Sequence, residues 1–107
     1  MAWNHFRFDD GSNPYISITN KAFFWMIRHY DVEQIGEHSF VVHGVNPKAK
    51  YTREYNREVV RNFAIDWQGN FGEFNYSWGD LADWQDFFEE YGRKYGLLTE
   101  FHIEGIC

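Results

Sequence analysis

One stretch of the chain, SWGDLADWQDFFEEYGRKYG (residues 77–96), constrains the fold more than any other. At about 100° per residue, its large apolar side chains fall on one arc of a helix and carboxylates fall opposite. Ser77 and Asp80 have the spacing of a capping box, and Gly96 is a natural helix stop. The pattern predicts an amphipathic helix whose ring-lined face must be covered by other elements. The apolar arc comprises Leu81, Trp84, Phe87, Phe88, Tyr91 and Tyr95.

The remaining segments predict a small α+β fold. Turn-rich and alternating stretches indicate an opening hairpin, HFRF and YISIT joined by DDGSNP, and a second hairpin in VEQIGEHSFVVHGV. One helix is expected from Asn20 and another from near Thr52, while LLTEFHIEGI predicts a closing strand that pairs with the N-terminal one. We therefore expect a single compact α+β domain over residues 1–107, with about three helices packed on a short antiparallel sheet.

The core of this domain is expected to consist largely of aromatic rings. Phe, Trp and Tyr make up 21% of the 107 residues, so a packed core is expected despite a mean hydropathy of −0.60. Rings that remain at the surface are common anchors of protein interfaces. The composition therefore indicates a protein partner without identifying it.

Negative charge is concentrated in the C-terminal part of the chain. The formal net charge is −6, to which residues 1–65 contribute +1 and residues 66–107 contribute −7. An acidic surface repels nucleic acids and membrane phosphates and attracts basic grooves. We therefore expect no direct binding of nucleic acid, no membrane association, and a protein partner with a basic nucleic-acid-binding surface.

The carboxylates opposite the apolar arc are the candidate partner-binding residues. The helix dipole accounts for acidic side chains in the first turns. It does not account for four carboxylates on one face, since like charges one turn apart repel each other. Their charges recur roughly every 3 to 4 Å along the axis, comparable to phosphates along one DNA strand. The alternative is a face that only keeps the protein soluble. The predicted partner-binding residues are Asp83, Asp86, Glu89 and Glu90.

A basic stripe is the other charged feature. Arg53, Arg57 and Arg61 recur every four residues and two lysines precede them, an arrangement that can bind phosphates. Glu54 and Glu58 interleave with these arginines at spacings of three and four residues. Because such pairs are ordinary on helix surfaces, we favour side-chain pairing over phosphate binding.

Histidines supply the candidates for a metal site. If the two terminal strands pair, His5 approaches His102, and Asp9, Glu104 or Cys107 can complete a tetrahedral set for zinc. Solvated or core-satisfied histidines are the favoured alternative. We accordingly expect no cofactor, with zinc as the alternative.

The chain lacks the common signatures of catalysis and export. It contains no Gly-rich phosphate loop, no G-x-S-x-G, no H-E-x-x-H and no cysteine pair with zinc spacing, so no enzymatic activity is expected. Cys107 is the only cysteine, which favours a reducing cytoplasm. Neither an apolar run of signal length nor one long enough to span a membrane is present. A cytoplasmic location is therefore expected.

A short, acidic, aromatic-rich chain bearing GDLADWQDFFEEYG resembles the small proteins of phages and mobile elements that disarm bacterial defence. These are the anti-CRISPR inhibitors of type II effector nucleases and the anti-restriction proteins. The resemblance extends over the whole chain in size, charge and composition, with no diagnostic motif. It implies stoichiometric binding that occludes a positively charged nucleic-acid channel or grips a mobile lobe of the nuclease. It carries over no catalytic residue.

The function expected from these features is inhibition of a nucleic-acid-processing defence protein, foremost a type II CRISPR effector nuclease, by blocking its DNA binding or loading. Two alternatives remain open. One is a protein-interaction or regulatory module of a mobile element with no inhibitory role. The other is a small zinc-binding protein, or a metal-dependent or other small enzyme.

Overall fold

The structure, a computed structural model, describes residues 3–9 and 16–107, without the side chain of Lys21. Over these residues the fold has the predicted α+β class, with four helices rather than about three and a four-stranded mixed sheet. Contacts divide the chain into two compact units, here the sheet unit (Met1–Ala49) and the helical unit (Lys50–Cys107). The single domain expected over residues 1–107 stays a prediction. The elements are β1 Trp3–Phe8, β2 Ile16–Thr19, α1 Asn20–His29, β3 Tyr30–Gln34, β4 Ser39–Val45, α2 Arg53–Gly69, α3 Trp78–Lys94 and α4 Leu98–Glu104, with a 3₁₀ turn at Phe71–Glu73.

The sheet unit contains both predicted hairpins. The strand order is β2-β1-β4-β3, with β1 antiparallel to β2 and β3 antiparallel to β4. The two hairpins meet through β1 and β4, which run parallel, so the sheet is mixed rather than wholly antiparallel. The parallel pairing arises because α1 connects β2, at one edge of the sheet, to β3 at the opposite edge. Residues 10–15, which hold most of the first predicted turn, lie outside the described residues.

One face of the sheet packs against α1 through aromatic rings. Phe23 of α1 lies with its ring centroid 5.9 Å from that of Phe6 and 4.9 Å from that of Phe40. All three rings are buried. Asn4 is also buried; its side-chain amide donates to Asn20, and its carbonyl oxygen lies 3.0 Å from His38 Nδ1. A buried polar group must be hydrogen-bonded, so Asn4 ties β1 to the first residue of α1.

The helical unit begins with the two capped helices that the sequence predicts. The Thr52 hydroxyl accepts a hydrogen bond from the Tyr55 N–H at 3.1 Å, at the start of α2. At the start of α3, Ser77 and Asp80 form a complete capping box, each side chain accepting from the other's backbone N–H at 3.1 and 3.0 Å. Each helix thus starts where its cap satisfies free N–H groups.

Rings from α2 and α3 form the core of the helical unit. The Phe63 and Trp84 centroids lie 5.5 Å apart, and those of Trp67 and Phe88 lie 5.1 Å apart. The predicted apolar arc of α3 is confirmed, since four of its rings and Tyr95 are buried and Leu81 is half-buried. The buried rings of α3 are Trp84, Phe87, Phe88 and Tyr91.

The predicted closing strand LLTEFHIEGI is wrong, because this segment forms α4. Leu97 and Phe101 are spaced by one helical turn and are buried, whereas Ile103, which alternation would pair with Phe101, is 77% exposed. Gly105 (φ 75°) ends the helix. Its N–H donates to the backbone carbonyl of His102, and the Ile106 N–H donates to the backbone carbonyl of Phe101 at 2.9 Å. This is a Schellman motif, a helix ending that requires a left-handed residue.

Candidate partner-binding face of α3

The four predicted partner-binding carboxylates lie on the side of α3 away from its buried rings. Asp86, Glu89 and Glu90 are exposed and Asp83 is half-buried. The geometry follows from the 3.6-residue period, which alternates the carboxylates with the core positions of the same helix. We call the surface formed by these four residues the acidic face.

The carboxylates of α3 differ in what they contact. Glu89 accepts a hydrogen bond from Arg93 one turn later, at 2.9 Å. Asp80, which precedes the acidic face, is held in the capping box. Asp86 and Glu90 form neither a hydrogen bond nor an ion pair with any described side chain. Two of the four charges on the acidic face are therefore exposed to solvent without a compensating cation among the described residues.

Basic groups lie at the C-terminal end of α3, where the helix dipole favours them. The ammonium of Lys94 lies 5.8 and 5.7 Å from the ring centroids of Tyr91 and Tyr95, and the Arg53 guanidinium lies 5.5 Å from that of Tyr95. Burial, and secondarily the charge of Glu90, raises the pKa of the Tyr91 phenol. These cations lie over rings, and neither Arg53 nor Lys94 forms an ion pair with Asp86 or Glu90.

Trp78 is an exposed ring on the same helix that the sequence-based prediction of partner-binding residues did not include. It is the first residue of α3, and its side chain is 88% exposed. The signal for it was available, because at 100° per residue Trp78 is the only ring of residues 78–95 that falls outside the apolar arc. Phe71, in the turn before α3, is 43% exposed. Isolated apolar residues at a surface are ordinary, but tryptophan is among the residues most enriched at interface hot spots.

Arg61, the last arginine of the predicted basic stripe, pairs with carboxylates, the arrangement that we favoured over phosphate binding. Arg61 binds Glu100 of α4 through two hydrogen bonds, from Nε at 2.9 Å and Nη2 at 3.1 Å, and lies 3.7 Å from Glu58. The hydrogen bonds from Arg61 lower the pKa of Glu100, and the reciprocal interaction raises the pKa of Arg61. The main partner of Arg61 is therefore on another helix, which spacing along α2 did not predict.

The premise of the predicted zinc site is wrong. His102 and Glu104 belong to α4, and β1, which carries His5, already has β2 on one side and β4 on the other. A strand with two neighbours has no edge at which a terminal strand can pair. His5 Nδ1 instead lies 2.8 Å from the Ser17 hydroxyl, and burial raises the pKa of the Cys107 thiol. Within residues 3–9 and 16–107, no group of three or more His, Cys, Asp or Glu side chains is arranged to hold a metal ion.

Comparison of the chain with protein-family models, with curated proteins and with solved structures gives no match. The described helices include none with the length and hydropathy needed to cross a membrane.

Proposed function

We propose that this protein is a stoichiometric inhibitor that binds a nucleic-acid-processing bacterial defence protein through the acidic face of α3. A type II CRISPR effector nuclease is the proposed target, and the blocked step is DNA binding or loading. The observation that carries the proposal is that Asp86 and Glu90 are exposed without an ion-pair partner on a helix whose opposite side packs its rings in the core.

The charge of the helical unit supports a basic partner. This unit contains six Lys or Arg against eleven Asp or Glu, a net charge of −5, whereas the sheet unit contains four against five, a net charge of −1. An acidic field steers association with a positively charged groove and disfavours nucleic acid itself. The negative charge thus belongs mainly to the unit that carries the acidic face.

Trp78 supplies the apolar anchor that charges alone do not provide. Exposed ion pairs contribute little affinity because water and salt screen them, whereas a tryptophan that enters a pocket removes a large apolar area from water. We propose that Trp78 binds in a pocket at the rim of the basic groove. Replacing it with alanine should weaken binding by about 2 to 4 kcal/mol, which is about 30- to 1,000-fold.

The mechanism is occupation of the groove by the acidic face. The carboxylates take the place of DNA phosphates against the basic side chains, so DNA and this protein compete for one surface. A competitor of this kind acts mole for mole and leaves the nuclease chemically unchanged.

The test is a DNA-cleavage assay with a purified type II effector nuclease and its guide RNA. Inhibition should saturate near one molecule of this protein per nuclease, and it should require addition before target DNA. Raising salt should slow association more than it speeds dissociation, because screening acts chiefly on steering. Inhibition far below one equivalent would require catalysis, and lack of inhibition in any order of addition would reject this target.

Charge-reversal variants connect the effect to the acidic face. D86K/E90K changes two charges that have no described partner, so binding should weaken severely with the fold intact. The matched control is D66K/E73K, which makes the same change in net charge at two exposed residues of the same unit outside α3. Equal losses in both variants would indicate a general charge effect and reject recognition by the acidic face.

A further inference from the structure

A histidine of the sheet unit lies between two carboxylates. His43 of β4 has its Nδ1 atom 2.7 Å from Asp9 Oδ2 and its Nε2 atom 2.9 Å from Glu33 Oε1. Asp9 directly follows β1 and Glu33 belongs to β3, so one imidazole joins three neighbouring strands. Its side chain is 39% exposed.

A β-bulge places His43 in this position. In the β3–β4 pairing, Val42 lies opposite Val32 and Gly44 lies opposite Asp31, so His43 is an extra residue with no partner on β3. Gly44 has a φ of 142°, a conformation that side-chain-bearing residues rarely adopt. Bulges of this kind redirect a side chain, here towards the carboxylates on both neighbouring strands.

The two contacts of His43 require one particular protonation state of its ring. An ionised carboxylate only accepts hydrogen bonds, so both ring nitrogens must donate, and only the doubly protonated imidazolium has two N–H groups. When one proton is lost, a nitrogen lone pair faces a carboxylate oxygen and one of the two contacts becomes repulsive. The arrangement therefore exists in full only while His43 is charged.

The charged groups around His43 favour that state. Asp9 faces the imidazole from the end of β1, and Glu33 faces it from β3. The other charged residues on these two strands are Asp31 of β3 and Arg7 of β1. Hydrogen bonding to Glu33, then to Asp9, raises the pKa of His43 above the ordinary value of 6.5, against the opposing effect of desolvation. The imidazole thus keeps its proton to a higher pH than an unperturbed histidine does.

We propose that His43, Asp9 and Glu33 form a proton-dependent clasp that holds β1, β4 and β3 together and opens when the imidazole becomes neutral. The sheet unit thereby contains a pH-sensitive device that is separate from the acidic face. Because the folded-state pKa is raised, the clasp stabilises the fold fully below about pH 6.5, and its contribution is lost as pH rises through the folded-state pKa.

The test is an NMR titration of the His43 ring in the full chain and in single conservative variants. In both D9N and E33Q the pKa of His43 should fall towards 6.5, because each variant removes one carboxylate acceptor. D31N is the matched control: it removes the same charge from β3 without touching a hydrogen bond of His43, and it should leave that pKa nearly unchanged.

Thermal unfolding provides the second readout. Relative to the unaltered chain, H43Q should remove the component of Tm that decreases as pH rises above about 6.5 and through the folded-state pKa of His43. An unchanged pKa in either D9N or E33Q would overturn the three-strand clasp. Equal pH profiles of Tm for H43Q and the unaltered chain would overturn its role in stability.

Discussion

The sheet unit and the helical unit each contain a charge-assisted contact between elements, and the two contacts respond to pH in opposite directions. In the sheet unit, the carboxylates around His43 raise its pKa, so that contact weakens as pH rises. In the helical unit, Arg61 lowers the pKa of Glu100, so that contact weakens as pH falls. Between these limits both contacts are formed, and the chain should be most stable there.

The carboxylates around His43 and those of the acidic face also differ in their partners. On the sheet, Asp9 and Glu33 share the charge of one imidazole. On α3, Asp86 and Glu90 have no such group, although Arg93 and Lys94 lie on the same helix. Carboxylates that are already paired must give up that pairing to bind a basic partner, whereas uncompensated ones need not. Asp86 and Glu90 would therefore give up no existing ion pair on binding a basic partner, whereas Asp9 and Glu33 would.

The largest effect should come from removing a core ring of the helical unit. Trp84 is fully buried, and W84A should destabilise the protein by about 3 to 5 kcal/mol through the cavity it creates. The measurement is chemical denaturation with hydrogen exchange at single residues. A change in stability near zero would mean that the buried side of α3 has been assigned wrongly.

The same variant tests whether the two units are one domain. If residues 1–107 unfold as a single cooperative domain, W84A should reduce the protection of amides in the sheet unit as much as in the helical unit. F40A, which removes a buried ring of the sheet unit, is the reciprocal variant. Loss of protection confined to the altered unit in both variants would contradict the single-domain prediction.

A smaller effect should follow from a glycine in α3 that no sequence pattern marks. A Cβ on Gly92 would lie 2.9 Å from Cδ2 of the buried Phe101 ring and 3.2 Å from Cδ2 of Leu98. The overpacking should exceed the gain of about 1 kcal/mol in helix propensity, so G92A should destabilise by about 1 to 2 kcal/mol. The measurement is the shift in the denaturant midpoint, which reports the change in stability when the m-value is unchanged.

Gly79 provides the control for this prediction. It lies on the same helix and is exposed, and a Cβ added to it would meet only Ser77 Oγ, at 3.7 Å. G79A should therefore be neutral or stabilise by about 0.5 kcal/mol. If G92A is also neutral, the close approach of α4 to α3 at this position is not as tight as the distances indicate.

Local signals in the sequence predicted most of the fold. Ser77 and Asp80 indicated the start of α3, Thr52 indicated the start of α2, and Gly96 indicated the end of α3, because caps depend on neighbouring residues alone. The same reasoning was available at Gly105, followed by the apolar Ile106, and would have indicated α4. Alternation in a ten-residue stretch was the weaker guide.

Features that depend on distant residues could not be read in this way. The bulge at His43 arises from the register between β3 and β4, and the Arg61–Glu100 contact joins residues 39 positions apart. The acidic face, in contrast, follows from helical periodicity, and its four residues were placed correctly on α3. Whether that face binds a partner depends on a second molecule, which the chain alone does not contain.

The smallest effect concerns the pH response of the helical unit. E100Q removes the charge that accepts two hydrogen bonds from Arg61, and at neutral pH it should destabilise by about 0.5 to 1 kcal/mol, since the contact is partly exposed. The pKa of Glu100 is lowered below its ordinary value of 4.5, so the contact is fully present above that pH and is lost as pH falls through the folded-state pKa.

The measurement is the free energy of unfolding of E100Q and the unaltered chain across the acid range. The difference between them should be constant above about pH 5 and should vanish at low pH, where both side chains are neutral. E58Q is the control, because Glu58 lies farther from Arg61, at 3.7 Å, and should give a smaller difference. A difference that persists at low pH would show that Glu100 stabilises the helical unit by packing rather than by charge, and the opposite pH responses of the two units would then no longer hold.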